Sequence, residues 1–407
     1  MSASNSGIHF NYLVKTKLEK QRKANNSEKV EISNRNCVGQ KGKKMRRLCH
    51  VSRQVVGSSD VVLIDGNEII LNRPGKLNSL NLEMVRMLQL GYLKFRDSVV
   101  MLRGEGKAFC AGGDIVAIRE DVLSGSRRRL ANDFFYEEYE LNHFIATMLE
   151  VRNVAQVSLW NGVTMGGGVG LSLHGPYRVC TEKTMFAMPE TSIGLIPDVG
   201  GTYALGRLSC TASGMYAGLT GHRLKASDCM RLGLGTHFVS EKRLDGLVEK
   251  LKTSSIREVG DVLDSYCHEE VSGSSVLNEA EIIRCFSDVN SVEEILERVE
   301  RSEYEDWKIE ALRALKNASP LSLKLTFKAI NLHKNLTIGE ALINEYRIVQ
   351  RLCAVDGEFF EGIRAVLVDK DRNCKWNYAG LNDVSDELVD SFFAPLINHP
   401  RGDLKFN

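Results

Sequence analysis

The sequence holds only 7 prolines in 407 residues, which leaves long helices uninterrupted and gives no proline-rich linker. No apolar run approaches the roughly 18 residues that a membrane span needs, so no bilayer crossing is expected. The ten cysteines (37, 49, 110, 180, 210, 229, 267, 285, 353 and 374) include no CxxC pair, and the histidines are as scattered. HExxH is missing too, and no metal site is proposed. No apolar secretory segment stands at the start, so the thiols are expected to be reduced, inside the cell. GxxxxGK[ST], GxGxxG and GxSxG are likewise absent. Their absence removes support for a phosphate loop, a dinucleotide fold and the common serine-hydrolase elbow.

Charge of one sign is lacking overall, with 53 Lys and Arg against 52 Asp and Glu. The balance hides an asymmetry: residues 1–59 carry 13 basic and 3 acidic side chains, residues 60–407 carry 40 and 49. A basic, Ser/Asn-bearing start followed by Lys43-Lys44-Met45-Arg46-Arg47-Leu48 suits a mitochondrial import peptide. A solvated extension of a cytoplasmic protein and an arm that holds nucleic acid through phosphates are the alternatives.

From Asp60 onward strands alternate with helices. Val61–Ile64, an Asp65-Gly66 turn and Glu68–Asn72 predict a hairpin. A helix from Asn81 to about Phe95, a strand at Val99–Arg103, a helix opening near Gly113 and a long helix over about 132–149 follow. Ala155–Trp160, Tyr177–Cys180 and Thr184–Ala187 are expected strands, so the class is α/β with helices covering a sheet. Beyond about residue 245 apolar residues recur at helical spacing through Ile282–Val299, Trp307–Leu315, Leu321–Ile330 and Ile338–Leu352. The division is therefore a leader over 1–59, a core over 60–245 and a helical region over 246–407.

Two glycine clusters, Gly104–Gly113 and Gly162–Gly170, each follow a strand and lead toward a helix. Glycine at such a junction exposes backbone N–H groups that lack internal acceptors. The clusters either permit tight helix–sheet packing or aim a pair of amides at one oxygen, as an oxyanion hole does. Downstream, Met188-Pro189-Glu190-Thr191 and Ile196-Pro197-Asp198-Val199 set two acids in apolar surroundings. Desolvation raises the pKa of such acids and fits them for base or nucleophile work, unless they are solvated or capping loop residues. Glu137 and Glu138 flank the apolar stripe Phe134, Leu141, Ile145, Met148, and periodicity does not choose between them.

With these residues the chain resembles the crotonase (enoyl-CoA hydratase/isomerase) superfamily, and within it the 3-hydroxyisobutyryl-CoA hydrolase branch. The resemblance runs from about residue 60 to the end. It rests on Ile70-Leu71-Asn72-Arg73-Pro74 with Leu77-Asn78-Ser79-Leu80-Asn81, both glycine clusters, Met188–Gly201, Glu361-Gly362-Ile363-Arg364-Ala365, and Asp369-Lys370-Asp371 with Lys375-Trp376. It implies a crotonase-like core of repeated ββα units with a helical C-terminal region, binding an acyl-CoA. Gly113 and Gly167 would form the oxyanion hole, and Ala111, Gly112, Asp114 and Ile115 would border the coenzyme A. Glu190 would be nucleophile or base. Asp198 would join it in catalysis and, with Glu138, would hold the substrate's hydroxyl. No cofactor is implied beyond the coenzyme A of the substrate, and a homo-oligomer is compatible with the family.

The hydratases of the superfamily carry a glutamate where this chain has Gly170, so the resemblance favours thioester hydrolysis in valine catabolism. An enoyl-CoA hydratase or isomerase, and a non-catalytic RNA-binding homologue using residues 1–59, are the alternatives. Three departures stand out: a segment between Met84 and Arg103 about four residues short, Asn153 near the place of a usual proline, and Cys374 in place of another. They are expected to alter packing outside the proposed site.

Overall fold

Paired strands divide between two sheets, so one short structural unit recurring along the chain builds both layers. The computed structural model describes residues 60–125, 129–267, 271, 277–354 and 357–406. The leader over 1–59 lies outside the described residues. Val62–Asp65 (β1) and Glu68–Leu71 (β2) form the expected antiparallel hairpin, turned at Gly66-Asn67, one residue later than the sequence suggested. Three units then place one strand in each sheet: Ser98–Gly104 (β3) with Ala108–Cys110 (β4), Val154–Trp160 (β5) with Val163–Met165 (β6), and Tyr177–Cys180 (β7) with Met185–Ala187 (β8). Leu224–Lys225 (β9) and His237–Phe238 (β10) complete the edges.

The larger sheet runs β1-β2-β3-β5-β7-β10, parallel from β2 onward, and the smaller runs β4-β6-β8-β9. Side chains alternate across a strand, so Val99 and Met101, Val157 and Leu159, and Val179 present one face. Helices Glu241–Leu251 and Val259–Tyr266 bury it with Leu244, Leu247, Val248, Leu251, Val259 and Leu263. The core boundary expected at 245/246 therefore falls inside a helix whose apolar stripe belongs to the sheet.

The long helix runs Arg129–Arg152, starting and ending about one turn beyond the expected 132–149, and packs on β5 and on helix Leu82–Tyr92. Beyond Phe238 the described residues form helices without further strands. The stripe Ile282–Val299 is two helices, Glu279–Phe286 and Val292–Glu300. Asp288 in the left-handed region breaks it, and the Ser291 side chain caps the second helix through the Glu294 N–H. Three later helices reach back to the strand ends. Pro320–His333 packs on Gly201–Leu205, Ile338–Leu352 on the long helix, and Glu358–Ile363 on the 3-10 turn Glu190–Ile193. They lie in the same compact unit as the sheets.

Two departures have a visible form. The short segment begins in the helix that stops at Tyr92 and turns into β3, with Arg152 donating to the carbonyls of Leu93 and Phe95 in the turn. Asn153 sits at φ +52, which a proline ring locked near φ −65° cannot adopt. No helix among the described residues is long and apolar enough to cross a membrane.

Candidate active site

The parallel neighbours β4, β6 and β8 end side by side, so the turns after them converge. After β4 the chain bridges Leu80: Leu80 N–H donates to the Gly112 carbonyl and Asp114 N–H to the Leu80 carbonyl, 2.8 and 2.7 Å. Alternation along this bridge sends the Gly113 N–H to the opposite side. After β6, Gly166 at φ +47 turns the chain into the helix Gly167–Gly170, whose first N–H has no intrahelical acceptor. A Cβ on Gly167 would lie 3.5 Å from the Gly113 nitrogen, so the two amides are neighbours. The opening motif braces this arrangement through buried Asn78, which donates to the carbonyls of Glu105 and Ala108.

After β8 comes Glu190, the first residue of its 3-10 turn. Its Oε1 lies 3.1 Å from where a Cβ on Gly166 would sit, and Oε2 is buried without a partner in the protein. The long helix brings Glu138 over Gly167, at 2.6 Å from that residue's ideal Cβ position, with Oε1 likewise unpartnered. Glu137 turns away into a bidentate pair with Arg86 at 2.7 and 2.8 Å, which settles what periodicity left open. Asp198 completes the cluster and accepts from the Tyr139 hydroxyl at 3.0 Å.

Three buried carboxylates in one cavity cannot all ionise freely. Burial, and then the nearby Asp198 charge, hold the carboxyls of Glu138 and Glu190 well above the usual range. Burial and the Glu345 charge push Asp198 up to about 7, against the lowering effect of the Tyr139 hydrogen bond. The arrangement offers two amides for a developing oxyanion and basic carboxylates beside it, as acyl transfer requires. Replacing Gly167 by Ala would force its Cβ against Glu138 and, at 3.0 Å, Leu80. We expect G167A to lower kcat at least tenfold while thermal unfolding stays cooperative, as read by steady-state assay and melting.

The cavity holds about 490 Å³, and its lining includes Gly113, Gly167, Glu138, Glu190 and Asp198. Of the proposed coenzyme-bordering residues, Ala111, Gly112 and Ile115 line it as well, whereas Asp114 pairs with Arg73 at 3.0 Å. Composition did not single out Arg223, Arg313 and Arg372, which also stand on its wall. Nor was Cys374 expected there: it too lines the cavity, correcting the expectation that the departures fall outside the site. Its placement follows from the clasp made by Arg364. That guanidinium donates to Glu361, Asp369, Asp371 and the Asn373 carbonyl, and so folds the segment bearing Val366, Leu367, Arg372 and Cys374 over the opening. Gly362 lets its helix press on the turn of Glu190, since a Cβ there would come within 2.3 Å of the Ile193 carbonyl.

The model of the family described as enoyl-CoA hydratase/isomerase matches residues 67–393. The chain belongs to the enoyl-CoA hydratase/isomerase family. Among curated relatives, the mitochondrial 3-hydroxyisobutyryl-CoA hydrolase of Xenopus tropicalis is 44% identical, over 81% of this chain and 86% of its own length. The enzyme of the same name from Mus musculus is 43% identical over 84% and 89%. A solved enoyl-CoA hydratase of Rhodobacter sphaeroides superposes with a TM-score of 0.75 at 35% identity, covering 85% of this chain and all of that one.

The place at which this member of the enoyl-CoA hydratase/isomerase family has Gly170 is physically closed. A Cβ there would meet the Val199 Cβ at 2.6 Å and the Asn142 amide nitrogen at 2.8 Å. Gly170→Glu is therefore expected to lower the melting temperature by several degrees, with no gain of crotonyl-CoA hydration by absorbance assay.

Proposed function

We propose that the protein hydrolyses the thioester of 3-hydroxyisobutyryl-CoA to the free hydroxy acid and coenzyme A, in valine catabolism and in mitochondria. The observation that carries this is the convergence of Glu190, Glu138 and Asp198 on the Gly113 and Gly167 amides, with the Gly170 position closed to a further acid. The names of the Xenopus and mouse relatives support the substrate and the compartment.

The thioester oxygen lies between the Gly113 and Gly167 N–H groups, which take up its charge as the carbonyl carbon becomes tetrahedral. Glu190 either attacks that carbon, forming an anhydride that water then opens, or removes a proton from the attacking water. In both routes the C–S bond breaks, water supplies the acid's new oxygen, and the coenzyme A thiolate regains a proton. Glu138 and Asp198 hold the 3-hydroxyl, and the proposed route uses no cofactor beyond the substrate's own coenzyme A. Arg223, Arg313 and Arg372 supply positive charge for its phosphates. Reversing one of them, as Arg313→Glu, is expected to raise KM at least fivefold with kcat nearly constant.

One methyl separates this substrate from 3-hydroxypropionyl-CoA, a difference worth about 1–3 kcal/mol in a pocket, so both are cleaved. Losing the hydroxyl matters more, because a buried acceptor is then left unpaired. The test runs thiol release from 3-hydroxyisobutyryl-CoA and isobutyryl-CoA beside hydration of crotonyl-CoA. The proposal expects kcat/KM at least 100-fold lower for isobutyryl-CoA and negligible hydration. Hydration without thiol release would overturn it.

A further inference from the structure

The turn that carries Asp198 is under backbone constraint. Val199 is β-branched yet sits at φ +52, a conformation that such residues rarely adopt unless their surroundings enforce it. Two groups hold it: His174 Nε2 lies 2.8 Å from the Val199 carbonyl, and the buried Glu345 carboxylate grips the residues that follow. Glu345 Oε2 accepts from the Gly200 N–H at 2.6 Å. Its Oε1 accepts from the Thr202 N–H at 3.2 Å and from the Thr202 hydroxyl. The same hydroxyl lies 2.7 Å from His333 Nδ1. Glu345 lies within the stripe of buried Ala341, Leu342, Ile348, Val349 and Leu352, an expensive place for a carboxylate. A third donor at hydrogen-bond distance repays that desolvation only in this arrangement, in which every contacting group donates.

We infer that Glu345 is a positioning residue of the thioester reaction, holding the Val199–Thr202 turn so that the Asp198 carboxylate faces the cavity. The inference rests on the assignment of Asp198 to the site. Glu345 does not line the cavity, so it acts through the turn. It also sets the field there. Asp198 is faced by Glu138 and Tyr139 from the long helix, by Glu190 from the 3-10 turn and by Glu345 from the helix Ile338–Leu352, with His174 and His333 flanking Glu345. Removing the Glu345 charge lowers the proton affinity of Asp198.

Glutamine is the informative replacement, because its amide would set a donor against the Gly200 or Thr202 N–H while removing the charge. The full chain with Glu345→Gln is expected to show kcat for 3-hydroxyisobutyryl-CoA at least tenfold lower, KM within threefold, and the kcat inflection near neutral pH displaced downward by about half a pH unit or more. Glu345→Asp keeps the charge but shortens the reach, so kcat falls and the inflection stays. Thr202→Val removes one donor and is expected to lower kcat at least threefold with KM unchanged. If Glu345→Gln does not fold, the Asp and Val variants decide, and wild-type kcat in both overturns the inference. An unmoved inflection in a folded Glu345→Gln, or a raised KM with kcat intact, also overturns it. Asp198→Asn is run alongside: full turnover there would refute the site assignment itself, whereas its loss together with an unmoved Glu345→Gln profile refutes the positioning role alone.

Discussion

Glu190→Gln is expected to lower kcat for thioester hydrolysis at least a hundredfold while KM changes less than threefold. The side chain is 6% exposed and keeps its volume in the variant, so packing and the approach to the Gly113 and Gly167 amides are retained. What disappears is a carboxylate whose burial and Asp198 neighbour make it basic. General-base removal alone costs about 10²–10⁴ in rate, and loss of a nucleophile costs at least as much. Because Glu190 Oε2 has no partner in the protein, the variant should melt no lower than wild type. Steady-state thiol release and thermal melts on the same preparation check both halves. A destabilised, weakly binding variant would show that Glu190 serves the fold.

The second large effect joins activity to stability with opposite signs. Asp198→Asn is expected to lower hydroxyacyl-CoA turnover at least a hundredfold and to raise the melting temperature above pH 7. In the folded protein Asp198 keeps its proton up to about 7, against an ordinary value of 3.8. A group whose folded pKa is raised stabilises the fold fully below its unfolded value and loses that contribution as pH rises through the folded one. The wild type therefore forfeits stability between about pH 4 and 7, on the order of 2–4 kcal/mol at this site. Asparagine can still accept from the Tyr139 hydroxyl and carries no such slope. The difference in melting temperature between variant and wild type should grow from pH 5 to pH 8. A variant that melts lower at pH 8, or a flat difference, would contradict the assigned ionisation.

Much of this site is legible in the sequence, because the groups that carry it are local. Gly113 and Gly167 follow short strands, and Glu190 and Asp198 stand in apolar sequence whose buried character is plain. What the chain order hides is which distant elements meet. Glu137 and Glu138 are equivalent on the helix, and only Arg86, 51 residues away, takes one of them out of the site. Tyr139 and Glu345 were missed for different reasons. A tyrosine in an apolar stripe gives no sign of its hydrogen bond, but an acid at the spacing of Leu342, Val349 and Leu352 signals a buried carboxylate in need of donors. Arg223, Arg313 and Arg372 come from three separate segments, so composition could not gather them.

The fold follows the same division. The hairpin and the strands Val154–Trp160 and Tyr177–Cys180 are readable from alternation and β-branched runs. The two-residue strands β9 and β10 are not, since their pairing is fixed by neighbouring strands. The break at Asp288 interrupts an apolar stripe that continues on both sides, and local capping outweighs that continuity.

The most direct test is free-thiol release from 3-hydroxyisobutyryl-CoA by the intact protein and its Glu190→Gln variant, at one pH and with both shown to be folded. The account predicts multiple turnovers by the wild type and at least a hundredfold slower release by the variant. Undiminished release by the variant, or a wild type that leaves the thioester intact while hydrating crotonyl-CoA, would contradict it.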